Sequence, residues 1–209
     1  MAENKECDHD MEEKIRVKDF GMYSDLEEFL ATKGIEALTN IKFYNVDHAQ
    51  PVTFTGKNAS VYDPNKIYIL NYDKVLSKNG LSASSDVLKQ CRNTVVRNNK
   101  VLACSFIKFL NLHEEPGMFA EWGQLLSEGL VTAYEKFDGS LIMVTYFDEQ
   151  WWILTRGSNA DANIFGSHLP KEMRSEETYG DRVRSLLELK ELDKHITYVF
   201  ELCDPVAYI

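Results

Sequence analysis

A lysine, two acids and a glycine stand close together in Tyr134-Glu135-Lys136-Phe137-Asp138-Gly139-Ser140-Leu141. Two readings fit Lys-x-Asp-Gly ahead of an apolar run. One is a solvated lysine beside an Asp-Gly turn, because both turn residues accept tight backbone geometry. The other is a nucleophile. A lysine amine that attacks phosphorus must be unprotonated, and nearby cations or a metal lower its pKa by disfavouring a further positive charge. The chain offers such cations in other strand-like segments, at Arg92, Lys108 and Arg156. It also offers Glu201, inside the apolar run Tyr198-Val199-Phe200-Glu201-Leu202. Strand alternation puts Glu201 on a face with Val199 and Cys203, opposite Tyr198, Phe200 and Leu202. A half-buried carboxylate there calls for a cation, a metal or ligand hydroxyls.

These residues need elements to hold them. Ser24-Asp25-Leu26-Glu27 reads as a capping box, followed by Leu26, Phe29 and Leu30 at helical spacing and closed by Gly34. Short β-like runs follow at Val52–Phe54 and Lys66–Tyr72. Ser77–Asp86 is rich in Ser and Asn and reads as a surface loop. Arg92–Arg97 and Lys100–Ser105 flank Asn98-Asn99, a pair that tolerates positive φ, so a hairpin is expected. Gly123–Gly129 suggests a helical turn. Strands are expected at Thr132–Lys136, Leu141–Phe147 and Trp151–Arg156, with turns at Asp138-Gly139 and Asp148–Gln150. Ser158–Tyr179 reads as a long loop with a helical portion, Arg182–Lys190 as an amphipathic helix and Thr197–Cys203 as a last strand. Strands in local antiparallel runs with few helices between them predict an α+β fold rather than a parallel βαβ sheet.

The bulk numbers narrow the function. A chain of 209 residues fits one domain or one domain with an appendage. Its net charge of −10 argues against a nonspecific polyanion binder, so any nucleic acid would have to bind at a focused basic site. No apolar run is long enough to span a bilayer, and the acidic start MAENKECDHDMEEK is neither a signal peptide nor an Arg-rich transit peptide. Cys7, Cys91, Cys104 and Cys203 are scattered without metal-ligand spacing, which suits reduced thiols in a cytoplasmic compartment. Cys7 and His9 lack the second ligand pair that a metal site needs. Trp151 and Trp152, adjacent in a strand, point to opposite faces, so at most one of them is available to stack on a base. His113-Glu114-Glu115, His168, Asp161, Glu176 and Glu177 read as solvated charges, and His195 has no evident partner. Gly56-Lys57 and Gly117 lack the context of a phosphate-binding loop.

Taken together, the motifs resemble the phage-type RNA ligase 1 family of ATP-dependent RNA ligases, part of the covalent nucleotidyltransferase superfamily. Glu135–Leu141 resembles that family's nucleophile motif I. Cys91-Arg92, and then Ser105–Leu112, resemble its Cys-Arg-Gly strand and its Lys-Phe-Phe-Asn-Leu segment. Thr145-Tyr146 and Leu154-Thr155-Arg156-Gly157-Ser158 resemble the strand pair after the nucleophile, and Phe200-Glu201-Leu202 with Pro205 resembles motif III. The segments keep the family's order and similar spacing from about Lys66 to Pro205.

The resemblance implies a nucleotidyltransferase (ATP-grasp-like) domain of mainly antiparallel sheets with flanking helices, spanning 61–209. Residues 1–60 would form an N-terminal lead-in and helix of the same domain. It implies that Lys136 forms a lysyl–AMP intermediate, with Asp138 and Gly139 shaping the turn that presents it. Tyr72, Arg92, Lys108, Glu135, Arg156 and Glu201 would line the ATP site, with Glu201 at the ribose or the bound Mg²⁺ (or Mn²⁺). The partners implied are ATP and RNA ends, a 5′-phosphate and a 3′-hydroxyl, handled by a monomer. Asn93 stands where the family has glycine, Leu110 where it has an aromatic residue, and Val206-Ala207-Tyr208 where it has Asn-Arg-Ile. The family's motif IV and its Lys-x-Lys motif V would fall beyond Ile209, which suggests a C-terminally incomplete domain. Two other readings use the same residues: a capping guanylyltransferase or DNA ligase, and a noncatalytic module that binds nucleotide or RNA ends.

Overall fold

The computed structural model describes residues 24–38, 41–46, 53–54, 63–72, 86–108, 118–132, 134–167, 170–173 and 176–203. Helix α1, Ser24–Lys33, has Asp25 and Glu27 in its first turn and Lys33 in its last, matching the helix dipole. Leu26 and Leu30, four residues apart, are its buried face. Gly34 ends the helix at φ 76°, a left-handed conformation that glycine adopts without strain. A short helix α2, Asp86–Gln90, packs beside α1. The buried Gln90 amide joins them, accepting from Leu26 N at 2.9 Å and donating to Asp25 Oδ2 at 2.9 Å.

These helices cover one face of a five-stranded antiparallel sheet. Its strands are β1 Ile41–Asn45, β2 Thr53–Phe54, β3 Tyr68–Tyr72, β4 Arg92–Arg97 and β5 Lys100–Cys104, in the order β2-β1-β3-β4-β5. Asn98 (φ 49°) and Asn99 (φ 57°) form the β4–β5 turn, as the Asn-Asn pair predicts. A second antiparallel sheet contains β6 Ser140–Phe147, β7 Gln150–Leu154 and β8 Tyr198–Leu202, in the order β7-β6-β8. Asp148 (φ 51°) and Glu149 (φ 61°) form the β6–β7 turn. The fold is α+β with antiparallel sheets, as the sequence predicts.

Side-chain alternation arranges these pieces in layers. Tyr68 and Leu70 of β3 pack with Leu26, Leu30, Ile35 and Ile41 on the helix side. Ile67 and Ile69 face the other way and meet Met143 and Leu154 of the second sheet, with Val95 and Ala103 between them. The outer face of the second sheet, including Ile142, Val144, Ile153 and Leu202, packs on Phe165 and Val183. Trp152 joins the inner layer and Trp151 the outer one, so the two tryptophans do face opposite ways.

Three expected elements differ from the structure. Of the expected strand Thr132–Lys136, the described residues 132 and 134–136 form no strand; β6 pairs with β7 on one edge and with β8 on the other. The helical turn expected at Gly123–Gly129 is the end of a longer helix, α3 Met118–Ser127, followed by Gly129 at φ 69°. The late helix α4 is Tyr179–Leu186 and starts before Arg182, because Thr178 and Asp181 form a reciprocal capping box. Asp161 is also more than a solvated charge, since it pairs with Arg184 at 2.6 and 2.9 Å. The expected loop at 77–85, most of Ser105–Leu112 past Lys108, Cys7, His9, Gly56-Lys57, His113-Glu114-Glu115, Gly117, His168 and residues 204–209 lie outside the described residues. Among the described residues, no helix is long and apolar enough to cross a membrane.

Candidate active site

The cationic part of the site forms where β3 ends and β4 begins. Tyr72 N donates to Cys91 O at 2.8 Å, and Lys108 N donates to Lys89 O at 2.8 Å, so three segments converge there. Tyr72 is the centre. Lys108 Nζ lies 5.5 Å from its ring centroid and Arg156 Cζ lies 5.7 Å from it, both within cation–π range. Lys108 is 9% exposed, an uncommon degree of burial for a lysine. Arg156 comes from the second sheet, just past β7, so the cluster bridges the two layers. Two cations around one aromatic ring suit a polyanionic ligand.

A β-bulge shapes this corner. The β3–β4 ladder pairs Leu70 with Thr94 and Asn71 with Arg92, leaving Asn93 as the extra residue at φ 54°. Asparagine is the non-glycine residue best suited to that conformation, which accounts for Asn93 standing where the family has glycine.

The lysine segment enters the second sheet from the side of β8. Lys136 Nζ pairs with Asp138 Oδ1, and both side chains are largely exposed, at 79% and 78%. Gly139 was expected to shape a tight turn, but it does not adopt a positive φ. Its constraint is space: a Cβ on Gly139 would lie 2.4 Å from Leu202 O, inside any tolerable contact. Glycine therefore lets the lysine segment close directly onto β8. One residue further on, the register pairs Ser140 with Leu202 and Leu141 with Glu201. Leu141, Met143 and Glu201 share the face that packs on the first sheet, which is the face alternation assigned to Glu201. Glu201 is exposed rather than half-buried, because β8 is an edge strand. Glu135 and Tyr134 are exposed as well.

The structure thus gathers Tyr72, Lys108 and Arg156 into one cluster, and Arg92 starts the strand that pairs with β3 beside it. Gly139 lies against Leu202 of β8, and Lys136 and Asp138 pair with each other at the exposed surface. Among the described residues no group of three or more His, Cys, Asp or Glu side chains could hold a metal. The Cys91 thiol is fully buried, and burial pushes its pKa up strongly, so it acts as core and not as a nucleophile.

Two residues of this corner escaped the sequence reading. Asn71, buried in the strand ahead of Tyr72, accepts from Asn93 N at 3.1 Å and donates to Arg156 O. Gly157 lies flat on Tyr44, where a Cβ would come within 3.2 Å of the ring. An amide breaking the apolar run Ile69-Leu70-Asn71 was a visible signal, since a buried amide needs partners.

Residues 88–208 match the family model described as RNA ligase, of the phage-type RNA ligase 1 family. The chain belongs to that family. The match starts at α2 and covers β4 through β8, taking in Arg92, Lys108, Lys136, Arg156 and Glu201. Comparison with curated proteins and with solved structures finds no match.

Proposed function

We propose that this RNA ligase family member joins a 5′-phosphate to a 3′-hydroxyl RNA end, using ATP and a covalent AMP on Lys136. The observation that carries the reading is the meeting of Lys108 and Arg156 on the Tyr72 ring, across two sheets, in a chain whose net charge is −10. An acidic protein that concentrates cations at one corner has built a place for phosphates. The motif set then orders the chemistry. Tyr72 and the aliphatic stems around it seat the nucleotide, and Arg92, Lys108 and Arg156 face its phosphates. Lys136 leaves its pairing with Asp138, attacks the α-phosphorus as the neutral amine, and pyrophosphate departs. Fixed cations stabilise the charge that builds on the phosphoryl oxygens, the main source of rate in such transfers. Mg²⁺ carried in with the phosphates would add Lewis-acid stabilisation, with Glu201 and Asp138 as its protein carboxylates. AMP next passes to the RNA 5′-phosphate, and the 3′-hydroxyl displaces it as the phosphodiester forms.

In this reading, residues 61–209 form a nucleotidyltransferase domain that acts as a monomer. The test combines α-labelled ATP with end joining. The protein should take label in the presence of Mg²⁺, lose it in Lys136→Ala, and seal 5′-phosphorylated RNA. Labelling by GTP in preference to ATP would indicate capping chemistry, and sealing of DNA alone would indicate a DNA ligase. A rise in melting temperature with ATP but no label would reassign the protein as a binding module.

A further inference from the structure

We propose that Asn71 and Asn93 form an amide clamp that positions Arg156 over Tyr72, making both asparagines positioning residues for the nucleotide phosphates. The inference deepens the ligase reading and rests on it. It starts from the backbone of Arg156, not its guanidinium. Arg156 O accepts from Asn71 Nδ2. The Asn93 amide faces the same region and, with its nitrogen turned toward the carbonyls there, donates to Thr155 O at 3.1 Å and to Arg156 O at 3.3 Å. The two asparagines are themselves joined, since Asn93 N donates to Asn71 Oδ1 at 3.1 Å. Both are buried, Asn93 completely. A carbonyl has two lone pairs, so Arg156 O can satisfy both amides at once.

Three features make this more than generic core satisfaction. Asn93 is the bulged residue, in a left-handed conformation that glycine alone would satisfy for the backbone. The asparagine side chain adds what glycine lacks, a donor aimed at the other sheet. The residues clamped lie just past β7, in a tight loop closed by Thr155 N donating to Ser158 O at 2.9 Å, and the amides hold that loop to the first sheet. Gly157, the next residue, is pressed against Tyr44 of the same sheet, so the peptide after Arg156 also rests on the first sheet. Arg156 is therefore anchored at its backbone and carries its guanidinium to Tyr72 from a fixed base. The planar guanidinium gains from a fixed approach to an aromatic ring.

The decisive variant is Asn93→Gly. It keeps the left-handed backbone and the N–H bond to Asn71, and removes only the amide that holds Thr155 and Arg156. ATP affinity by calorimetry and labelling rate against ATP concentration are measured for wild type, Asn93→Gly, Arg156→Ala and the double variant. Thermal melts accompany each. The clamp predicts that Asn93→Gly weakens ATP binding and raises KM for ATP about tenfold, while kcat changes little. In the Arg156→Ala background the same substitution should have almost no further effect. Asn93→Asp, which fits the backbone but sets a carboxylate against two carbonyls, should be worse than Asn93→Gly. Wild-type affinity in Asn93→Gly, or an equal loss with and without Arg156, overturns the clamp. A wild-type protein that binds ATP but takes no label overturns the transfer reading, and the affinity comparison still decides the clamp. A wild-type protein that binds no ATP overturns both.

Discussion

Tyr72 is the residue on which the cations turn. Its ring, and not its hydroxyl, meets Lys108 and Arg156. Tyr72→Phe should therefore bind ATP almost as wild type does. Tyr72→Ala should lose about 0.5–2 kcal/mol of affinity, the range of a partly desolvated cation–π contact; calorimetric titration with ATP distinguishes the two. Gly139 makes a sharper prediction. Any side chain there meets the Leu202 carbonyl, so Gly139→Ala must push the lysine segment away from β8. Labelling of the variant should fall well below wild type even where circular dichroism shows the sheets intact. Intact labelling in Gly139→Ala would show that contact with β8 is not needed. Sequence reading placed this glycine at a turn; its close approach to a strand more than sixty residues away in the chain could not be read from local residue types.

At the scale of elements, local chemistry was the most legible. The Asn98-Asn99 and Asp148–Gln150 turns, the end of α1 at Gly34 and the alternation of Glu201 all follow from residue type and period. What stayed hidden depends on partners. No property of Thr132–Lys136 forbids a strand; β6 simply has both edges taken. The bulge at Asn93 likewise shows only against β3. The two hairpin tips are also joined across the sheets, through Arg97 Nη2 to Asp148 Oδ1 at 2.7 Å and a second, shorter bond. The hydrogen bond from Arg97, helped by its charge, holds the Asp148 carboxyl below its ordinary range. Its stabilisation is thus complete above the ordinary carboxylate pKa of about 4 and fades as pH falls through the lowered value. Denaturant melts of wild type and Asp148→Asn should differ at neutral pH and converge in acid. A gap that persists in acid would mean that the pair does not act through ionisation.

The whole molecule is two sheets pressed together, with the cationic corner spanning the seam. Met143 is buried between them beside Ile69, Val95 and Leu154. Met143→Ala should cost about 2–5 kcal/mol and lower the midpoint of chemical unfolding. Loosening the seam should also weaken ATP binding, because Arg156 reaches Tyr72 only if the sheets keep their distance. A seam variant that is destabilised yet binds ATP normally would separate the site from the packing. The most direct test of the account is where AMP attaches. Intact mass and peptide mapping after incubation with ATP and Mg²⁺ should show one AMP, in acid-labile phosphoramidate linkage, on Lys136. No adduct, or an adduct on any other residue, would contradict it.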